Sequence, residues 1–174
     1  DRRSTEHGAD VLGELVVRLG IDRTVVGDFY TDVDAPVAGQ QRREAFHGFD
    51  VKKVARMTEA DVERLMLFDG IIRNRLKIKS AISNAKLFIR IQEEFGSFYD
   101  YTASFFPNRQ PIVNHFKSLG EVPATSPESD QMSRDIKKRG FKFFGSTICY
   151  AHLQATGFVN DHLVGCVSRR EDAV

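Results

Sequence analysis

From residue 50 onward the apolar positions recur with a helical period. Thr58-Glu59-Ala60-Asp61 has the form of a capping box, a Thr cap with an acid three residues later. Val62, Leu65, Met66 and Phe68 follow at helical intervals. Asp69-Gly70 ends that run, with Gly70 expected to supply the left-handed position just past a helix. Ile71 and Ile72 come next. A longer helix is predicted from about Leu76 to Phe95, with an apolar stripe of Ile78, Ile82, Ala85 and Ile89. Residues 58–95 thus read as helix, tight apolar turn, helix.

Gly96-Ser97 breaks the pattern, and Ser97 is placed to cap a short aromatic helix reaching Phe105. Phe98, Tyr99, Tyr101, Phe105 and Phe106 are expected in the core. Pro107-Asn108 with Pro111, and then Pro123 through Pro127, mark loops. Ser126-Pro127-Glu128 combines a cap, a Pro at the first helical position and an acid in the first turn. That helix should run to Lys137-Lys138-Arg139 and stop at Gly140. Phe141, Phe143 and Phe144 precede a last helix from Ser146 to Thr156, closed by Gly157, with Ile148, Cys149 and Leu153 buried. The polar final eight residues read as frayed.

The first 42 residues differ. Val11, Leu12, Leu15, Val16 and Leu19 allow one short helix capped by Asp10. Thr24-Val25-Val26 and Phe29 through Val37 read as extended chain and turns. The break near Arg42-Arg43 divides the chain into a divergent segment, 1–42, and a helical domain, 43–174.

Composition adds bounds. The 174 residues are 41% hydrophobic and 28% charged, which suits one globular domain and excludes a disordered chain. No apolar run is long enough for a transmembrane helix, and no signal peptide is recognisable. Two cysteines, Cys149 and Cys166, form no disulfide framework, so a reducing, cytoplasmic setting is expected. The net charge of +1 hides an uneven distribution: 5 basic against 8 acidic residues in 1–42, then 20 against 16. Arg73, Arg75, Lys77 and Lys79 form one cluster. Arg134, Lys137, Lys138, Arg139 and Lys142 form another, opposed by Asp135. Such clusters can neutralise phosphates, or can simply be solvated helix faces.

Three constellations could carry chemistry. At the turn Gly70-Ile71-Ile72-Arg73-Asn74-Arg75, backbone N–H groups of the following helix could hold a phosphate, with Arg73, Arg75 and Lys77 adding charge. His162 and Cys166, four apart, could be two ligands of a zinc ion; a structural site needs four, and spacing supplies no others. Ser146, Thr147, Tyr150 and Gln154 lie on the last helix, where they could line a pocket or satisfy buried backbone groups. No nucleophilic triad and no Gly-rich nucleotide loop is present.

Longer motifs then align. Arg43-Glu44-Ala45-Phe46-His47-Gly48-Phe49-Asp50 is one, and Asp69-Gly70-Ile71-Ile72-Arg73-Asn74-Arg75-Leu76-Lys77-Ile78 is a second. The third is Lys138-Arg139-Gly140-Phe141-Lys142-Phe143-Phe144-Gly145-Ser146-Thr147-Ile148-Cys149-Tyr150, continuing through Gln154, Gly157 and Val159 to Cys166. In these stretches residues 43–166 closely resemble the bacterial DNA-3-methyladenine glycosylase I family.

The resemblance implies an all-α, helix–hairpin–helix DNA glycosylase fold. It implies a monofunctional enzyme that flips 3-methyladenine out of alkylated double-stranded DNA and hydrolyses its glycosidic bond. DNA contacts are expected at Gly70, Ile72, Arg73, Arg75, Lys77, Lys138 and Lys142, and pocket contacts at Ser146, Thr147 and Tyr150. His162 and Cys166 match two of the family's four zinc ligands. A monomer without membrane contact is expected. The family's N-terminal Cys, its Trp residues and its pocket Glu motif do not stand in residues 1–42, where Glu6-His7-Gly8 and Val11 to Gly20 are faint echoes and Glu14 lies on the predicted helix. Two further readings follow from that departure: a helix–hairpin–helix DNA-binding module with impaired catalysis, and a helical interaction domain.

Overall fold

The computed structural model describes residues 35–167 together with residue 169. Seven α-helices hold just over half of the described residues: α1 (Ala35–Ala45), α2 (Val51–Ala55), α3 (Glu59–Met66), α4 (Arg75–Phe95), α5 (Phe98–Ala103), α6 (Pro127–Lys138) and α7 (Ser146–Ala155). Short 3-10 turns occur at His47–Phe49, Pro107–Arg109 and Leu119–Glu121. The expected helix near Val11–Leu19, the extended chain at 24–34 and the polar end beyond 169 lie outside the described residues, as do Glu6, His7 and Glu14.

The capping chemistry works as the sequence implies. Asp61 Oδ2 accepts from Thr58 N at 2.8 Å and from its hydroxyl at 3.0 Å. Ser97 Oγ accepts from Asp100 N at 2.9 Å, and Ser126 Oγ from Ser129 N at 3.2 Å. At α6 the reciprocal bond comes from a serine, since Ser126 N donates to Ser129 Oγ at 2.8 Å.

Helix α4, 21 residues long, is the spine. At 1.5 Å per residue it spans about 32 Å. Its first half packs on α2 and α3 around Phe46, Val54, Leu65, Ile78 and Ala81. Its second half supplies Phe88 and Ile91 to a second cluster with α5, α6 and α7, in which Tyr101, Met132, Ile136, Phe144 and Leu153 are all buried. The buried stripe of α4 therefore continues from Ala85 to Phe88 and Ile91 rather than to Ile89, which is only half-buried. The same face carries two wholly or nearly buried polar residues, Ser80 and Asn84.

Three further expectations are corrected. Residues 35–37 are the first turn of α1, not extended chain, and α1 runs unbroken across Arg42-Arg43. Helix α3 ends at Met66, and Gly70 does not adopt a positive φ. Gly70 is needed for space instead: a Cβ there would lie 2.5 Å from Phe68 Cε1 and 2.8 Å from Gln41 Cβ. Left-handed glycines do follow α4, α6 and α7, at Gly96 (φ +86°), Gly140 (φ +105°) and Gly157 (φ +79°). Lastly, Ile112–Val113 (β1) pairs in parallel with Val159–Asn160 (β2), a link made by Ile112 N to Phe158 O at 2.9 Å and Asn114 N to Asn160 O at 3.0 Å. No described helix is long and apolar enough to cross a membrane.

Candidate nucleic-acid interface

Two turns between helices combine basic residues with a helix start, and they differ in what they leave free. In the first, between α3 and α4, Asn74 already caps α4 by accepting from Lys77 N at 3.2 Å. Arg75 grips Glu63 with both guanidinium nitrogens, one at 2.8 Å, and Glu59 at 3.3 Å. This hydrogen bonding holds the Glu63 carboxyl below the usual carboxylate range. Lys79 reaches Glu59 at 2.8 Å and Arg73 reaches Asp69 at 3.3 Å. Lys77 makes no ion pair among the described residues. Gly70 is packed against α1, while Ile72 is exposed. The structure thus brings these predicted contacts to one place, with three of the four cations facing acids.

The second turn, 139–145, joins α6 to α7 and is built from the inside. Asn84, wholly buried on α4, donates to Lys142 O at 2.9 Å and accepts from Lys142 N at 3.0 Å. This two-bond clamp fixes the turn as a ladder bond would fix a strand. Phe141 and Phe144 drop into the core on either side. Ser133 Oγ donates to Phe144 O at 3.4 Å. Between them Phe143 takes φ +58° and stays exposed. Gly145 begins α7 and no side chain caps the helix there. Amide groups at that end therefore remain open to an anion. Lys138 and Lys142 are exposed and make no ion pair among the described residues.

Arg139 belongs to the scaffold. Its guanidinium bonds Asp135 at 2.6 Å and both oxygens of Glu94 at 2.6 and 3.1 Å. It also lies over the rings of Phe95 and Tyr101, 5.1 and 5.3 Å from their centroids. Asp135 accepts from the Tyr101 hydroxyl at 2.8 Å as well. Burial, reinforced by that carboxylate, pushes the Tyr101 phenol up.

On α7 the polar side chains mostly satisfy neighbours. Ser146 bonds Asp130 and Ser129. Thr147 is exposed. Tyr150 donates to Asp161 Oδ2 at 2.5 Å and Gln154 to the same oxygen at 2.7 Å, while Asn114 reaches Asp161 Oδ1 at 2.8 Å. Of Ser146, Thr147 and Tyr150, only Tyr150 lines a cleft of about 290 Å³, beside Phe116, Asn114 and Glu128. Its hydroxyl is committed to Asp161, so its ring is what it can offer a bound group.

His162 Nδ1 and Cys166 Sγ stand 3.7 Å apart, close enough to share an ion. Among the described residues no group of three or more His, Cys, Asp or Glu side chains could hold a metal. Asp161 is turned to Tyr150, Gln154 and Asn114 and is not a third donor. The described residues supply half a zinc donor set. Cys149 is buried in the core and its thiol is pushed up to about 12 by that burial.

A family model for methyladenine glycosylase matches residues 39–170, which contain both turns. The chain is 49% identical over 124 residues to DNA-3-methyladenine glycosylase 1 of Escherichia coli (strain K12), covering 71% of this chain and 66% of that protein. It is 44% identical over 124 residues, with the same coverages, to the DNA-3-methyladenine glycosylase of Haemophilus influenzae. The matched stretch is thus just under two thirds of the length of these relatives. A crystal structure of 3-methyladenine DNA glycosylase I superposes with a TM-score of 0.79 at 38% identity, covering 93% of this chain and 86% of that one. A structure of the Staphylococcus aureus 3-methyladenine DNA glycosylase I superposes with a TM-score of 0.80 at 26% identity, covering 94% and 84%.

Proposed function

The chain belongs to the methyladenine glycosylase family, and on that premise we propose that it is a monofunctional DNA-3-methyladenine glycosylase of base-excision repair. The observation that carries the proposal is the 49% identity to the Escherichia coli enzyme over 124 residues. The substrate is double-stranded alkylated DNA, bound by a monomer in the cytoplasm.

The α6–α7 turn is the better prepared of the two to grip phosphates. Its helix start has no side-chain cap, and Lys138 and Lys142 make no ion pair among the described residues. The first turn, with Gly70, Ile72, Arg73, Arg75 and Lys77, makes a second contact whose charge is largely met by Asp69, Glu59 and Glu63. Exposed pairs of this kind are weak, so a phosphate can replace the acid partner at modest cost. These contacts position the duplex without reading sequence.

Chemistry follows from the substrate. An adenine alkylated at N3 is cationic and leaves readily, so its pocket has mainly to stack on it and supply negative charge. The flipped base leaves with the electron pair of the glycosidic bond, which neutralises it. A water oxygen bonds the anomeric carbon and releases its proton. No amine of the protein attacks, so the strand stays intact. Tyr150, whose ring lines the cleft, forms one wall of the pocket, with Ser146 and Thr147 a turn earlier on α7. His162 and Cys166 would hold two of the four positions around the zinc ion that the family resemblance implies.

Incubating the chain with methylated duplex DNA and measuring free 3-methyladenine tests the proposal. Salt-sensitive DNA binding without base release would favour the DNA-binding module instead, a reading supported by the absent family motifs in 1–42.

A further inference from the structure

Phe143 occupies a backbone position that glycine would fill more easily. Its φ of +58° is left-handed, a conformation unfavourable to any residue with a Cβ. Packing does not explain the ring, because Phe143 is 43% exposed while Phe141 and Phe144 beside it are 4% and 1% exposed. The strain is imposed from below. Asn84 holds both backbone groups of Lys142, and Ser133 holds the carbonyl of Phe144, so the ring has no route back into the core. An aromatic side chain is thus locked outward, at a cost, on a turn that carries Lys142 and follows Lys138, neither of which makes an ion pair among the described residues.

We infer that Phe143 is a DNA-contact residue whose exposed ring packs on a deoxyribose of the strand whose phosphates the α6–α7 turn holds. The inference rests on the proposed DNA-binding reading. The charge of the flanking lysines selects a polyanion. The sugar is the apolar part of its backbone and lies between successive phosphates, where a ring carried next to Lys142 meets it. Such a contact adds affinity without sequence preference.

The test compares F143G and F143L with the wild type. Affinity for a fluorescent duplex is followed by anisotropy over a range of salt, and thermal unfolding is followed in parallel. Glycine relieves the left-handed strain, so F143G should unfold at or above the wild-type temperature. Its duplex affinity should fall about fivefold to tenfold, the worth of a partly buried ring, with an unchanged salt slope because no phosphate contact is lost. F143L, which keeps apolar bulk, should recover most of the affinity. F143G binding within twofold of the wild type would overturn the inference and leave the DNA-binding reading standing. So would a fall of more than about 5 °C in its unfolding temperature, which would make the ring a core residue. A wild type without salt-sensitive DNA binding would overturn both.

Discussion

Replacing Asn84 by alanine should loosen the α6–α7 turn. Asn84 is wholly buried, and its amide makes two hydrogen bonds, of 2.9 and 3.0 Å, to the backbone of Lys142. Losing them costs about 1 kcal/mol each, and the void left by the amide adds a similar amount, for roughly 3 kcal/mol in all. In a chain of this size that corresponds to a fall in Tm of about 6–12 °C. Asn84→Asp sharpens the test. It keeps an acceptor for the Lys142 N–H but sets a second oxygen against the Lys142 carbonyl and buries a charge. It should be at least as destabilising as alanine at pH 7, and should recover in part once acid protonates the carboxyl and restores a donor. Thermal unfolding by far-ultraviolet circular dichroism measures all three proteins, and duplex binding by the variants should weaken with them. An Asn84→Ala protein melting within 2 °C of the wild type would refute the clamp.

His152 is wholly buried against the rings of Phe98 and Phe144, with neither ring nitrogen hydrogen-bonded. Burial pushes its pKa from 6.5 down to about 4. The unfolded chain therefore takes up the proton first. The stability at stake is fully present above pH 6.5 and drains away as pH falls toward 4, by roughly 3 kcal/mol. Denaturant unfolding of His152→Leu should lose that share of the pH dependence, and an unchanged profile would refute it. Lys138→Ala and Lys142→Ala should each lower the slope of log affinity against log salt by about one, and Arg75→Ala by less than half of that. Equal slopes for all three would remove the distinction between the two turns. Gly70→Ala should cost roughly 1–3 kcal/mol in unfolding experiments, because the new methyl meets Phe68 and Gln41; a neutral result would show that α1 yields there.

Much of the helical frame was legible because its signals are local. Thr58, Ser97 and Ser126 are caps whose partners lie three residues on, and Gly140 and Gly157 are stops set by their own φ. What escaped depends on distant partners. Gly70 looked like a helix stop and is in fact a close approach to Gln41, which no local pattern can show. Asn84 stands out in no local pattern, because its partner is 58 residues away. The shift of the α4 stripe from Ile89 to Phe88 and Ile91 follows from α5 and α6 packing on that end of the helix. The two-residue strands are too short to carry a period.

At the candidate site, the sequence reading found both basic clusters but could not rank them. Charge counts treat Arg75 and Lys142 alike. The structure separates them through Glu59 and Glu63 on α3 and through the cap at Asn74. Arg139 likewise reads as a DNA-binding cation until Glu94, 45 residues away, is seen to hold it. Phe143 sits in an aromatic-rich stretch, and only its φ and exposure set it apart from Phe141 and Phe144.

The most direct test of the account is release of free base. The chain is incubated with methylated duplex DNA, and the released bases are separated by chromatography against an enzyme-free control. The account predicts free 3-methyladenine above the control with strands left unnicked. Release no greater than the control, from a folded protein that still binds duplex DNA, would contradict it.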